Sequence, residues 1–119
     1  MHELSVCQAL LTQVEAIATR EGADAVSRIR VRIGPLAGIE PELLSQAFEV
    51  ARAGTPAAAA TLEIEKQALR IRCLACGEEC ATTPEHLRCG ACGDSRTQVI
   101  GGGELLLASV ELLYHKTTA

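Results

Sequence analysis

Six cysteines stand in this 119-residue chain, and four of them fall into two spaced pairs. The pairs are Cys73-Leu-Ala-Cys76-Gly77 and Cys89-Gly-Ala-Cys92-Gly93, with residues 77–88 between them. A two-residue gap lets both sulfurs of a pair turn toward one ion. The glycine after each pair relieves backbone crowding, so that amides can point at the thiolates. Four thiolates at tetrahedral spacing suit Zn²⁺, with Zn–S near ~2.3 Å. Zinc brings no redox chemistry, and four protein ligands leave no position for water. Such a site is structural, and metal binding supplies much of the folding energy of the segment around it. Two other chemistries use the same residues. An iron–sulfur cluster also accepts four cysteines. A thioredoxin-like exchange would need one Cys-X-X-Cys at a helix start, whereas these pairs lie in a turn-rich segment. Cys80 and His86 compete in principle as ligands, but they read as a small packed residue and a solvent-facing loop histidine.

A second group stands at the start of the chain, Met1-His2-Glu3. An unmodified α-amine, the amide nitrogen of residue 2 and the His2 imidazole can close adjoining chelate rings. Nitrogen donors in one plane suit Ni(II) or Cu(II). The Glu3 amide or carboxylate can complete the set. His2 is too bulky for the usual removal of Met1, so the amine is expected to remain on residue 1.

The elements that must position these groups follow from periodicity. Leu4, Cys7, Leu11, Val14 and Ala18 recur at helical spacing, widened by Leu10 and Ile17, which predicts a helix from about His2 to Arg20. Cys7 falls on that stripe and reads as core. Arg28 to Ile33 alternates strictly, with Ile29, Val31 and Ile33 on one face and three arginines on the other. Pro41 suits the first turn of a second helix that buries Leu43, Leu44, Ala47, Phe48 and Ala51, with Gly54 as its C′ residue. Leu62 to Lys66 alternates again, and its Glu63 and Glu65 can neutralise the arginine row if the strands pair. After Gly101-Gly-Gly103, Leu106, Ala108, Val110 and Leu112 predict one face of a last strand; His115 beyond it reads as a tail residue. The cysteine segment has few large apolar residues and cannot build a core alone. The fold class is therefore α/β: two helices packed on a three-stranded sheet, with an inserted four-cysteine zinc-ribbon module. Residues 1–68 and 99–119 would form the α/β domain, and residues 69–98 the metal domain.

Composition removes several functions. With one Tyr, one Phe and no Trp, the chain has almost no aromatic surface for stacking bases. Its formal charge is −4, and four thiolates around one divalent zinc take it to about −6. Phosphate backbones and anionic lipid are disfavoured partners, while capture of a cation is not. Neither a signal peptide nor a run long enough to span a membrane is visible, so the expected compartment is the cytoplasm. There, cysteines more often mean metal or redox chemistry than disulfides. No nucleophile–base pair or phosphate loop is evident, which points to a binding protein. A small redox enzyme and a zinc-ribbon adaptor without metal delivery are the rival classes.

Taken together, these segments resemble the HypA/HybF hydrogenase-maturation nickel chaperones. The likeness rests on Met1-His-Glu-Leu-Ser5, Ile33-Gly-Pro-Leu-Ala-Gly-Ile-Glu-Pro-Glu42, Ala47-Phe-Glu49, Gly54-Thr55, the two cysteine pairs, and Gly102-Gly-Glu-Leu105. The resemblance implies nickel delivery to the large subunit of [NiFe] hydrogenase with a HypB-type GTPase partner; some relatives also serve urease. It carries nickel ligation onto Met1, His2 and Glu3, places Glu40 beside the nickel site, and assigns zinc to Cys73, Cys76, Cys89 and Cys92. The sequence leaves monomer and homodimer both open, since edge strands and a long insertion allow dimers. Gly90 departs from the family, where many relatives carry proline, and should loosen the second pair without removing a ligand. The Ala57–Ala60 run is a loop variation.

Overall fold

A computed structural model describes residues 2–114 of the chain. The elements run α1 (His2–Arg20), β1 (Ala25–Ile33), α2 (Pro41–Ala51), β2 (Thr61–Lys66), β3 (Leu69–Cys73), β4 (Glu79–Thr82), β5 (Thr97–Gly101) and β6 (Leu105–Leu113). They form two three-stranded sheets, ordered β2-β1-β6 and β4-β3-β5.

The predicted stripe of α1 is its inner face: Cys7, Leu10, Leu11, Val14 and Ala18 are buried. α2 begins at Pro41, where a missing N–H costs nothing, and buries Leu44 and Phe48. Leu43 does not join them; it is 46% exposed, because only part of an eleven-residue helix faces inward. The helix is C-capped at Arg52, so Gly54 stands one residue beyond the expected C′ position.

β1 buries Ile29, Val31 and Ile33 on one face, as their alternation predicts; Val26 is buried too, at a position outside that alternation. Its arginines are matched from β2. Arg30 donates to Glu63 through Nε at 3.1 Å and Nη2 at 3.0 Å, and Arg32 donates to Glu65 at 3.1 Å. These pairs advance together along both strands, so β1 and β2 run parallel, as a helical crossover requires. Arg28 lies 3.3 Å from Glu63 and 3.5 Å from Glu111. The basic row is thus spent on carboxylates. Against β6 the sense reverses: Asp24 N–H reaches Leu113 O at 2.9 Å, while Ser27 Oγ–H reaches Glu111 O at 3.2 Å.

Two expectations need correction. Leu106, Ala108, Val110 and Leu112, expected along one face of the last strand, do not share one environment. Leu106 and Ala108 are exposed, Val110 and Leu112 are half-buried, and no residue of β6 is fully buried. The strand is apolar on both faces, so its sequence does not mark an inside. The second correction is the sheet β4-β3-β5, for which the sequence reading allowed no strands. β3 pairs antiparallel with β4 (Ile71 opposite Cys80) and with β5 (Cys73 opposite Thr97). Leu69, Ile71 and Cys73 are buried along it, so the cysteine segment rests on a small sheet core.

By contact density the chain divides into two compact units. The first gathers the described residues of Met1–Val31, Ile39–Ile64 and Leu107–Ala119; the second gathers Arg32–Gly38 and Glu65–Leu106.

Candidate metal centres

The two cysteine pairs have nearly the same local build. In the first, the amides of Ala75 and Cys76 donate to Cys73 Sγ, each at 3.4 Å. In the second, the amides of Ala91 and Cys92 donate to Cys89 Sγ at 3.3 and 3.4 Å. Each turn closes through glycine: Gly77 N–H bonds Cys73 O at 3.0 Å, and Gly93 N–H bonds Cys89 O at 2.9 Å. Both glycines have positive φ, 82° and 77°, a conformation a Cβ would strain. The second turn keeps its sulfur-directed amides with Gly90 beside Cys89.

Strand pairing brings these turns together. Cys73 ends β3, and Leu74 N–H bonds Arg96 O at 2.8 Å, next to β5. All four Sγ atoms lie within 4.8 Å of one another. Cys73 and Cys92 are 3.6 Å apart, and Cys76 and Cys89 3.5 Å. A tetrahedron with ~2.3 Å metal–sulfur bonds has edges of about 3.8 Å, so this sulfur cage fits one zinc-sized ion. Cys73 and Cys89 are buried, whereas Cys76 and Cys92 are exposed.

The thiols differ in acidity for reasons visible in the turns. Amide donation from Cys92 and then Ala91 brings Cys89 down to about 7. The Cys76 amide, with help from Ala75, lowers Cys73 in the same way. For Cys76 the Glu78 amide pulls downward, but its hydrogen bond to Cys89 and its desolvation outweigh this and push it up to about 12. Cys92 is likewise raised: the Asp94 amide lowers it, but hydrogen bonding to Cys73 and desolvation prevail. Four thiolates cannot crowd together without a cation. The site is built to exchange protons for a metal ion.

Two supporting residues were not singled out from the sequence. Asp94 Oδ1 accepts the Arg96 N–H at 2.8 Å, and its Oδ2 lies 2.9 Å from Arg96 Nη2. This bond to Arg96 brings the Asp94 carboxyl down to about 2. Asp94 O also accepts Cys89 N–H at 3.0 Å. One short turn therefore holds both cysteine pairs. Its sequence signal was an aspartate two residues before a hydrogen-bonded amide, the pattern of an Asx turn. Cys80 sits half-buried on β4 and His86 is exposed; neither belongs to the four-sulfur group.

At the other candidate site, His2 is exposed at the first position of α1. Glu3 points inward and is 9% exposed. Its carboxylate accepts the Glu40 backbone N–H at 3.3 Å, which holds the carboxyl below its usual range. Glu40 is the N-cap residue of α2, so this bond links the starts of the two helices. Met1 and His115 lie outside the described residues.

An α/β scaffold carrying a four-thiolate cage is that of a metal-binding protein. The family model described as "Hydrogenase/urease nickel incorporation, metallochaperone, hypA" matches residues 1–112. The chain belongs to this HypA family. It is 48% identical over 113 residues to the hydrogenase maturation factor HypA of Nitrosospira multiformis, covering 95% of this chain and 98% of that protein. It is 41% identical over 112 residues to the factor of the same name from Aquifex aeolicus, covering 94% and 97%. Among solved structures, the nickel metallochaperone HypA of Helicobacter pylori superposes with a TM-score of 0.72 at 25% identity, covering 95% of this chain and 98% of that one. A second HypA solution structure gives 0.75 at 26% identity, covering 97% and 98%. Among the described residues no helix is long and apolar enough to cross a membrane.

Proposed function

We propose that this protein captures Ni(II) at its N-terminus and delivers it for maturation of [NiFe] hydrogenase. In this reading Cys73, Cys76, Cys89 and Cys92 hold a resident Zn²⁺. The observation that carries the proposal is the unequal state of the two donor sets. The four sulfurs lie together among amide donors, which suits an ion that stays. His2 stands exposed on a helix start, which suits an ion that must leave. Membership in the HypA family supports nickel as the cargo.

The α-amine of Met1 and the His2 imidazole are the nickel donors in this scheme, with Glu3 completing the set and Glu40 as its neighbour. The Glu3 bond to the Glu40 amide fixes where the first turn of α1 begins relative to α2. Zinc, when bound, supplies a redox-inert tetrahedral centre. Around it the amides of Ala75, Cys76, Ala91 and Cys92 offset thiolate charge, and Asp94 and Arg96 hold the two turns in register. Residues 69–98 would be the zinc-binding domain, with 1–68 and 99–119 carrying the nickel site. The protein acts as a binding protein in the cytoplasm, not as an enzyme. Its partners are a HypB-type GTPase and the hydrogenase large subunit.

Titration of untagged, zinc-loaded protein with Ni(II) tests this reading. One further metal per chain is expected to bind. Adding a single residue before Met1 converts the amine to an amide and should abolish that binding while zinc content stays unchanged. An extended protein that binds nickel as well as the parent would overturn the amine assignment.

A further inference from the structure

The first turn of α1 carries a side-chain bond aimed at the peptide between two of the proposed nickel donors. Ser5 Oγ–H donates to the His2 carbonyl oxygen at 3.0 Å. That oxygen belongs to the peptide group whose nitrogen is the Glu3 amide. The Glu3 side chain is engaged elsewhere. It is 9% exposed, and its carboxylate accepts the Glu40 N–H at 3.3 Å. Of the two donors that residue 3 offers, the carboxylate is thus tied toward α2, while the backbone nitrogen lies beside His2.

A peptide nitrogen binds Ni(II) as its anion. The N–H bond breaks, the proton passes to water, and the nitrogen electron pair forms the Ni–N bond. The negative charge left on the peptide is shared between its nitrogen and its carbonyl oxygen, through the resonance that keeps the group planar. A hydrogen bond strengthens as its acceptor gains charge, by about twofold between neutral and ionised partners. An α-helix supplies one donor to a carbonyl from the amide four residues on. Ser5 adds a second, at the oxygen where the charge collects.

We propose that Ser5 is a positioning residue for nickel capture: its hydroxyl, bonded to the His2 carbonyl, stabilises the Glu3 peptide nitrogen in its metal-bound form. This role rests on nickel binding at the N-terminus, and it makes the nitrogen, not the carboxylate, the donor of residue 3. The hydroxyl touches no metal; it acts through the peptide between His2 and Glu3. Serine and threonine bonds back to the helix are common in themselves. The same helix holds another, from Thr12 Oγ1 to Gln8 O at 2.9 Å. Its local chemistry is alike, but no metal donor lies in the peptide it meets, so it serves as the control.

A competition titration tests the proposal. Untagged, zinc-loaded full chain at one fixed pH receives Ni(II) against a chelator of known affinity, and the visible absorption of bound nickel is recorded. Ser5→Ala should still bind one nickel, about three- to tenfold more weakly than the parent, the gap between a neutral and a charge-assisted hydrogen bond. Ser5→Thr restores a hydroxyl that can reach back along the helix, and should regain the parent's affinity and spectrum. Thr12→Ala should leave both unchanged. Zinc content and helical circular dichroism should match the parent in all three variants. A Ser5→Ala protein that binds nickel as tightly as the parent overturns the role of Ser5 and leaves N-terminal nickel binding intact. Equal weakening by Thr12→Ala overturns it too, because helix stability alone would then account for the loss. If the parent and His2→Ala bind nickel alike, N-terminal capture itself fails, and the role of Ser5 falls with it.

Discussion

The cysteine module and the first turn of α1 differ in how their donor atoms are held. In the module every sulfur sits within 4.8 Å of the other three, and Cys73 and Cys89 each accept two amide N–H groups. In the first turn of α1, the Glu3 carboxylate is tied to the Glu40 amide while the His2 side chain is exposed. Donors held among amides and paired strands suit retention of an ion, whereas exposed donors suit its release. A chain that handles one ion permanently and another transiently benefits from both arrangements, provided that each keeps to its own ligands.

The largest effect should come from the module. Cys73→Ser or Cys92→Ser removes one thiolate from a cage whose sheet buries little beyond Leu69, Ile71 and the cysteines. Zinc content should fall from one per chain to none, and residues 73–92 should lose amide dispersion in NMR spectra while the helical signal persists. Native dispersion in the metal-free variant would erase the contrast between the two regions. Next in size, His2→Ala should weaken nickel binding by roughly 100-fold or more, as expected for a lost ligand set against the 10–100-fold typical of outer-shell changes. Zinc content and circular dichroism should match the parent. A His2→Ala protein that still takes up nickel one-to-one would place nickel elsewhere.

Proton release sharpens the same comparison. Cys89 is lowered to about 7 and so is mostly thiolate at about pH 8, whereas Cys76, raised to about 12, keeps its proton there. Cys92 is raised as well. Zinc binding near pH 8 should therefore displace at least about two protons but fewer than four, as read by calorimetry in buffers of different ionisation enthalpy. As pH falls through about 7, Cys89 regains its proton and zinc affinity should drop more steeply. Release of all four protons at pH 8 would mean that the amides do not hold Cys89 ionised.

The smallest effect is expected at Glu3. Glu3→Ala leaves the Glu40 N–H without its carboxylate acceptor and should lower the melting temperature by roughly a few degrees. Glu3→Gln retains a carbonyl oxygen and should recover most of that loss. If Glu3→Gln also leaves the nickel spectrum unchanged, the carboxylate acts as an anchor and the donor from residue 3 is its backbone.

Local periodicity made much of the fold legible. α1 spans His2–Arg20 as its apolar stripe predicts, α2 starts at Pro41, and the β1 arginines meet Glu63 and Glu65 as their alternation suggested. The second sheet escaped notice, although Leu69 and Ile71 alternate with Arg70 and Arg72. Its partners β4 and β5 are only four and five residues long, too short to show a period.

Residue spacing by itself determined that four cysteines would form two turns with sulfurs facing one point, because a Cys-X-X-Cys-Gly segment closes through local bonds. It likewise fixed the adjacency of His2 to Met1, which is covalent. Only the tertiary structure decided the rest. Cys73 meets Cys92 because β3 pairs with β5, and Glu3 reaches Glu40 across 37 residues. Asp94 and Arg96 acquire their role from the turn between the two pairs. β6 is apolar on both sides, so its sequence carries no period to say which face turns inward; that followed from its place at the edge of the sheet. Contacts closed by the chain's own short loops are written in local sequence, whereas those closed by strand pairing depend on the whole fold.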